Sequence, residues 1–276
     1  MEFKTILVHV DLSRHAPARI RLAASLAHSH GARLVGAAMT GIPRVVFPDG
    51  YDALPGTLSA SYFEPLFDNA RRALSQFEVL AAESGVPFEA RLVCDQADDG
   101  LALMARFADL VVASQDDPDE AMTDMAMQVP EYVILNCARP VLVVPRADPA
   151  PPVGTRVLLA WDGSREASRA IASALPLLGK AAAVTLVTLA QSGAPGGRHA
   201  QADMLGYLAA HGVVATPIMR EPSLAPGRDL LALAQGAGFD LLVMGCYGHT
   251  RWRELCLGGA SRTVLAESRI ALLMAH

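Results

Sequence analysis

The sequence predicts an α/β protein built from two doubly wound, five-stranded parallel sheets. Three observations predict it. Short apolar runs alternate with longer stretches of helical character along the whole chain. The runs are continuously apolar, as strands are when helices cover both faces of a parallel sheet. And the chain repeats itself. Thr5-Ile-Leu-Val-His-Val-Asp11-Leu-Ser13 matches Arg156-Val-Leu-Leu-Ala-Trp-Asp162-Gly-Ser164, and Asp109-Leu-Val-Val-Ala113 matches Asp240-Leu-Leu-Val-Met244. Pro140-Val-Leu-Val-Val144 likewise matches Ala271-Leu-Leu-Met274. Five strands alternating with four helices make one doubly wound unit, and the chain carries two.

In order, the first half places strands near 4–10, 33–39, 88–94, 109–114 and 140–144. Helices fall near 14–30, 62–84, 98–108 and 119–137. The second half places strands near 156–161, 183–189, 214–220, 240–245 and 270–275, with helices near 165–179, 197–212, 227–237 and 260–268. Between the copies runs Pro145-Arg-Ala-Asp-Pro149-Ala-Pro151-Pro152-Val-Gly154, a proline-rich linker. It separates an expected first domain, 1–147, from a second, 153–276. A stretch rich in Pro and Gly, 41–61, interrupts the first half and reads as an irregular surface loop or a flap.

Composition narrows the function. Of 276 residues, 52% are hydrophobic and 18% charged, enough to build large cores. A net charge of -5 argues against a general binder of nucleic acid or anionic membrane. Cys94, Cys137, Cys246 and Cys256 form no Cys-x-x-Cys pair, so zinc and thioredoxin-like chemistry have no motif. The N-terminal residues lack the basic-then-apolar order of a signal peptide. No apolar run reaches the roughly 20 residues that cross a bilayer. A cytoplasmic protein without membrane partners is expected.

One stretch carries chemistry: Gly245-Cys-Tyr-Gly248-His-Thr-Arg251-Trp-Arg253-Glu-Leu-Cys-Leu-Gly258-Gly259-Ala-Ser261. A strand ends in glycine, a long loop follows, and a helix opens at Gly-Gly-Ala-Ser. Glycine lets backbone approach a ligand closely. Ser261 is placed to cap the helix, whose first N–H groups have no internal partner. Such an end receives phosphate. Plain turn chemistry is the competing account of the glycines. Asp162-Gly-Ser164, at the matching strand end, reads either as a ligand for a ribose or base or as a turn and helix cap. In the first half the glycines are gone: Ser114 stands against Gly245, Asp117 against Gly248, and Asp116, Asp117, Asp119 and Glu120 form an acidic stretch expected to be solvated. No Gly-x4-Gly-Lys-Ser/Thr, His-Glu-x-x-His or Gly-x-Ser-x-Gly occurs. No catalytic residue and no metal ligand is assigned.

The Gly245/Gly248/Gly258 spacing, the "ILVHVDLS" opening, the "ASLAHSHGARL" passage and the "ARPVLVVP" close resemble a tandem universal stress protein, with two domains of the UspA type. The resemblance covers nearly the whole chain. It implies a Rossmann-like fold of the adenine-nucleotide α-hydrolase class. It implies ATP, ADP or AMP as cofactor, with or without Mg2+, and a role in the stress response. It places Gly245, Gly248, Gly258, Gly259, Ala260 and Ser261 on the phosphate side, and Ala160, Asp162 and Leu189 on the nucleoside side. Gly259 departs from the family's Ser or Thr; one lost hydroxyl weakens binding about tenfold. The resemblance also implies an internal pseudo-dimer of the two halves and pairing of chains as a homodimer. The runner-up is a scaffold of the same fold that binds no nucleotide. An adenylating enzyme is a third reading, weakened because the first strand of the second half runs into Ala160-Trp-Asp-Gly-Ser164 rather than a pyrophosphate loop. Any ATP hydrolysis is expected to be weak.

Overall fold

The apolar runs form parallel strands, and their chain order is doubly wound in both halves. The structure, a computed structural model, describes residues 2–46, 63–120, 129–147, 153–189, 197–221, 223–247 and 259–276. The chain divides into two compact units, Glu2–Arg139 and Pro140–His276.

The first unit contains β1 (Thr5–Val10), α1 (Ala16–His30), β2 (Arg33–Met39), α2 (Glu64–Glu83), β3 (Phe88–Val93), α3 (Ala97–Met104), β4 (Leu110–Ser114) and α4 (Val129–Asn136). Its strands are parallel, in the order β3-β2-β1-β4. Ile6 to Val10 are buried throughout, whereas β3, at the end of that order, alternates between intermediate and exposed. Central strands are covered on both faces and an outer strand on fewer, which is why only the central ones read as unbroken apolar runs. Gly36 shows how tightly α2 docks: a Cβ there would lie 2.5 Å from the ring of the fully buried Phe77.

The second unit contains β5 (Val141–Val144), β6 (Arg156–Ala160), α5 (Arg165–Leu178), β7 (Ala183–Leu189), α6 (Gly197–Ala210), β8 (Ala215–Arg220), α7 (Pro226–Gly236), β9 (Leu241–Gly245), α8 (Ala260–Glu267) and β10 (Ala271–Ala275). Strands run β5-β10-β9-β6-β7-β8. All pairs are parallel except β5 with β10, where Leu272 faces Val143 and Met274 faces Val141. The strand that the sequence places fifth in the first half, β5, pairs antiparallel with β10. An apolar four-residue run carries no signal for partner or direction.

The repeated aspartates tie the sheets in the same way. Asp109 Oδ2 accepts the N–H groups of Lys4 and Thr5 at 2.8 and 3.0 Å. Asp240 accepts those of Gly154, Thr155 and Arg156 at 2.8 to 3.1 Å. In each unit the carboxylate before one central strand fixes the start of the other. Both units therefore reverse strand order beside their first strand, between β1 and β4 and between β6 and β9. Such a switch point opens a crevice at the carboxyl strand ends. Among the described residues no helix is long and apolar enough to cross a membrane.

Candidate functional site

At the switch point of the second unit lies a cavity of about 230 Å³. The end of β6 and the turn after it give Ala160, Trp161, Asp162 and Ser164. The end of β7 gives Val187 and Leu189, and β9 with its following residues gives Met244, Gly245 and Tyr247. Helix starts supply Ala167 of α5, Pro226 and Leu230 of α7, and Ala260 and Ser261 of α8. Of the residues singled out in the sequence, the cavity gathers Ala160, Asp162, Leu189, Gly245, Ala260 and Ser261. Gly259 adjoins them as the N-cap of α8. Gly248 and Gly258 lie outside the described residues, as do Arg251, Trp252 and Arg253.

Local chemistry explains each placement. Asp162 is exposed and accepts the Ser164 N–H through Oδ1 at 2.9 Å, with Gly163 at φ +81° completing the turn. Ser164 then caps α5, its Oγ accepting the Ala167 N–H at 3.1 Å. Asp162 thus holds the turn, as one of its two sequence readings has it, and lines the cavity. Ser261 departs from expectation. The N-cap of α8 is Gly259, with no side-chain cap bond, and Ser261 sits in the first helical turn, 3% exposed. Its Oγ accepts the Tyr247 N–H at 3.3 Å instead, joining the strand exit to the helix start. Glycine at the cap leaves the first amides of α8 without a side-chain competitor.

Gly245 has a steric reason to be glycine. A Cβ there would lie 2.3 Å from the Ala167 nitrogen and 2.4 Å from the Glu166 carbonyl carbon. The end of β9 rests on the first turn of α5, and that contact brings the two strand ends together. Gly227, unremarked in the sequence, does the same for the helices: its Cβ would lie 2.9 Å from the Ala260 oxygen. The starts of α7 and α8 are therefore adjacent, and Arg228 pairs with Glu267 across them at 3.0 and 3.2 Å. Three helix N-termini, those of α5, α7 and α8, border one cavity, and each favours negative charge nearby. Tyr247, also in the wall, holds φ at +55°, a left-handed conformation that costs a non-glycine residue about 1 kcal/mol.

The matching place in the first unit is built differently. His9 stands for Ala160, Arg19 for Ala170, and Ser114 for Gly245. Arg19 is 1% exposed and donates to the His9 carbonyl at 2.8 Å, Ser114 Oγ at 2.7 Å and Asp11 Oδ1 at 2.9 Å. One guanidinium thus ties the ends of β1 and β4 together. Burial opposes the charge on Asp11, but Arg19, His9 and the Ser13 hydrogen bonds outweigh it and hold the carboxyl well below the usual range. His9, buried beside them, has its pKa lowered to about 4, chiefly by desolvation. Within the acidic stretch Asp119 is exposed as expected, and Asp117 departs from the expectation. Asp117 is buried and accepts from Arg14 and from His15, the latter at 2.6 Å, and those bonds keep it ionised well below the usual carboxylate range. Glu120 accepts the Arg14 N–H at 2.7 Å. His15, Asp117 and Glu120 could converge on a cation, but Arg14 already bonds to both carboxylates.

Against known proteins, the sequence matches no family model and no curated protein. Solved structures do match. A universal stress protein from Archaeoglobus fulgidus DSM 4304 superimposes with a TM-score of 0.74 at 15% identity, covering 98% of this chain and 97% of that one. The chain has the universal stress protein fold. A functionally unknown protein from Pseudomonas aeruginosa PAO1 is also similar, with a TM-score of 0.61 at 16% identity over 99% of this chain and 92% of its own. A provisionally assigned universal stress protein from Pseudomonas aeruginosa UCBPP-PA14 gives 0.56 at 15% identity, over 99% and 93%.

Proposed function

We propose that this protein is a tandem universal stress protein that binds one adenine nucleotide, ATP, ADP or AMP, in the crevice of its second half. The observation that supports the reading most is the cavity itself: residues from six separate segments, six of them singled out from sequence for nucleotide contact, border one space. In this reading the aliphatic lining and the ends of β6 and β7 take the base, and Asp162 takes the ribose hydroxyls. The amides of Gly248, Gly258, Gly259 and Ala260 take the phosphates, helped by the dipole of α8. A volume near 230 Å³ is below the roughly 300–1,000 Å³ of sites that enclose a drug-sized ligand. It suits the nucleoside end, with the phosphates toward the start of α8 and a magnesium ion, where present, carried by the phosphates. The reading also carries the division into domains 1–147 and 153–276, their pairing as an internal pseudo-dimer, homodimerisation and a cytoplasmic location.

Calorimetry with ATP, ADP and AMP tests it. About one site per chain is expected. Folded protein that gives no heat with any of the three rejects the reading.

A scaffold role without nucleotide is the second reading, and one observation favours it. Gly245 is accounted for by its contact with Ala167 and Glu166, and Asp162 by its bond to Ser164, with no ligand needed. Protein denatured as purified separates the two readings: released adenine absorbance supports the first.

A further inference from the structure

We propose that Trp161 is the wall against which the ligand's base packs, and that it makes the site select purines over pyrimidines. The inference rests on the nucleotide reading above and names the residue that decides the base. Trp161 lines the cavity between Ala160 and Asp162. Its indole Nε1–H donates to the Ala200 carbonyl at 3.1 Å, and its backbone N–H to the Val187 carbonyl at 2.8 Å. Indole has a single donor and no acceptor, so the side chain has spent its polar capacity on α6. Where the indole borders the cavity, it can offer only aromatic surface.

That surface is fixed independently of any ligand. Ala200 is followed by Gln201, 6% exposed, whose Nε2 donates to Thr188 Oγ1 at 3.0 Å and to the Ile218 carbonyl at 3.1 Å. These bonds pin α6 to β7 and β8, hence the Ala200 carbonyl, hence the indole. A wall already in place costs little ordering when a ligand arrives. Around it the lining is aliphatic, from Val187, Leu189, Leu230 and Met244, with the Asp162 carboxylate next along the chain. An aromatic slab, aliphatic flanks and an adjacent carboxylate match a nucleoside, a flat base joined to a sugar that bears hydroxyls. Two fused rings cover more of an indole than one ring does, so purines gain more than pyrimidines. The first unit has Val10 at the matching position, so the aromatic belongs to this crevice.

The chain has two tryptophans, so a Trp252→Phe background leaves Trp161 as the sole indole reporter. AMP, GMP, UMP and CMP are titrated by emission and by calorimetry. AMP is expected to quench Trp161 emission with the calorimetric midpoint. Trp161→Ala is expected to weaken AMP about 10- to 100-fold and to erase the preference over UMP, while Trp161→Phe keeps most of both. If Trp161→Ala does not fold, Trp161→Leu, apolar but not aromatic, takes its place and must show the same loss of preference. AMP bound by the parent but equally well by the Ala or Leu variant, or bound without change in emission, overturns the inference and leaves the nucleotide reading standing. Folded parent that binds no nucleotide overturns both.

Discussion

The two strand-end crevices share a topology and differ in what fills them. In the second unit, small residues at the ends of β6 and β9 leave a cavity bordered by three helix starts. In the first unit, a histidine, an arginine and a serine stand at the matching places, and the arginine donates to the histidine's backbone carbonyl and to the serine's hydroxyl. The difference teaches that one sheet edge can serve two ends. Left bare, it offers backbone amides and an apolar slot. Bridged by a buried guanidinium with a carboxylate partner, it becomes an internal clasp. The clasp is polar and buried, so it is stable only while every member keeps its partner.

Removing a member of the clasp should have the largest effect. Arg19→Ala leaves Asp11 charged beside a vacated space and unties Ser114 from the His9 carbonyl. A loss of about 3–4 kcal/mol is expected, read as a lower urea midpoint. The matching Ala170 is already alanine, and the second unit has no such dependence.

Importing the first unit's residue into the second comes next. Gly245→Ser copies Ser114, but its Cβ would meet the α5 backbone at 2.3 Å. A destabilisation of about 3 kcal/mol is expected, with weaker AMP binding by calorimetry because the two strand ends separate. Unchanged stability would show that β9 and α5 part easily, and that the glycine serves a ligand after all.

The third effect depends on pH. His9 has a folded pKa of about 4 against an ordinary value of 6.5. The unfolded chain therefore binds the proton first as pH falls, and stability drops between about pH 6.5 and 4. Fully expressed, the drop is about 3 kcal/mol. Asp11 acts in a separate window, because its carboxyl is held below the ordinary range and its contribution is lost only at still lower pH. Urea unfolding at pH 7, 6, 5 and 4 should show a steeper fall for the parent than for His9→Gln. Equal slopes would mean that the histidine is hydrated or protonated in the folded state.

The smallest effect is a gain. Tyr247 holds φ at +55°, which glycine adopts without strain, so Tyr247→Gly should stabilise the second unit by about 1 kcal/mol. A loss instead would mean that the ring contributes more packing than its backbone costs.

Much of this was legible in the sequence, and the rest had physical reasons not to be. The strands could be read because buried parallel strands are unbroken apolar runs, as β1 and β9 are. Asp162, Ala160 and Leu189 could be placed because doubly wound sheets gather strand ends. Serine is common at helix caps, so Ser261 reads as one, but hydroxyl-to-backbone bonds at helix starts have several geometries, and Ser261 serves Tyr247. Arg19 gave no signal. An arginine in a helix usually faces water, and only the fold brings it within reach of His9, Asp11 and Ser114. Trp161, between Ala160 and Asp162, carries no sequence signal for the site, since an aromatic at a strand end also reads as core. Asp117 was read as solvated because charge runs usually are, and its partners Arg14 and His15 lie a hundred residues away along the chain.

The antiparallel strand Val141–Val144 has a practical consequence for anyone dissecting the molecule. A fragment begun at residue 153 would strip the cover from Leu272–Met274, baring a run of apolar backbone ready to pair with its neighbours in solution. Begun at Pro140, the same fragment keeps Val141–Val143 paired along that rim.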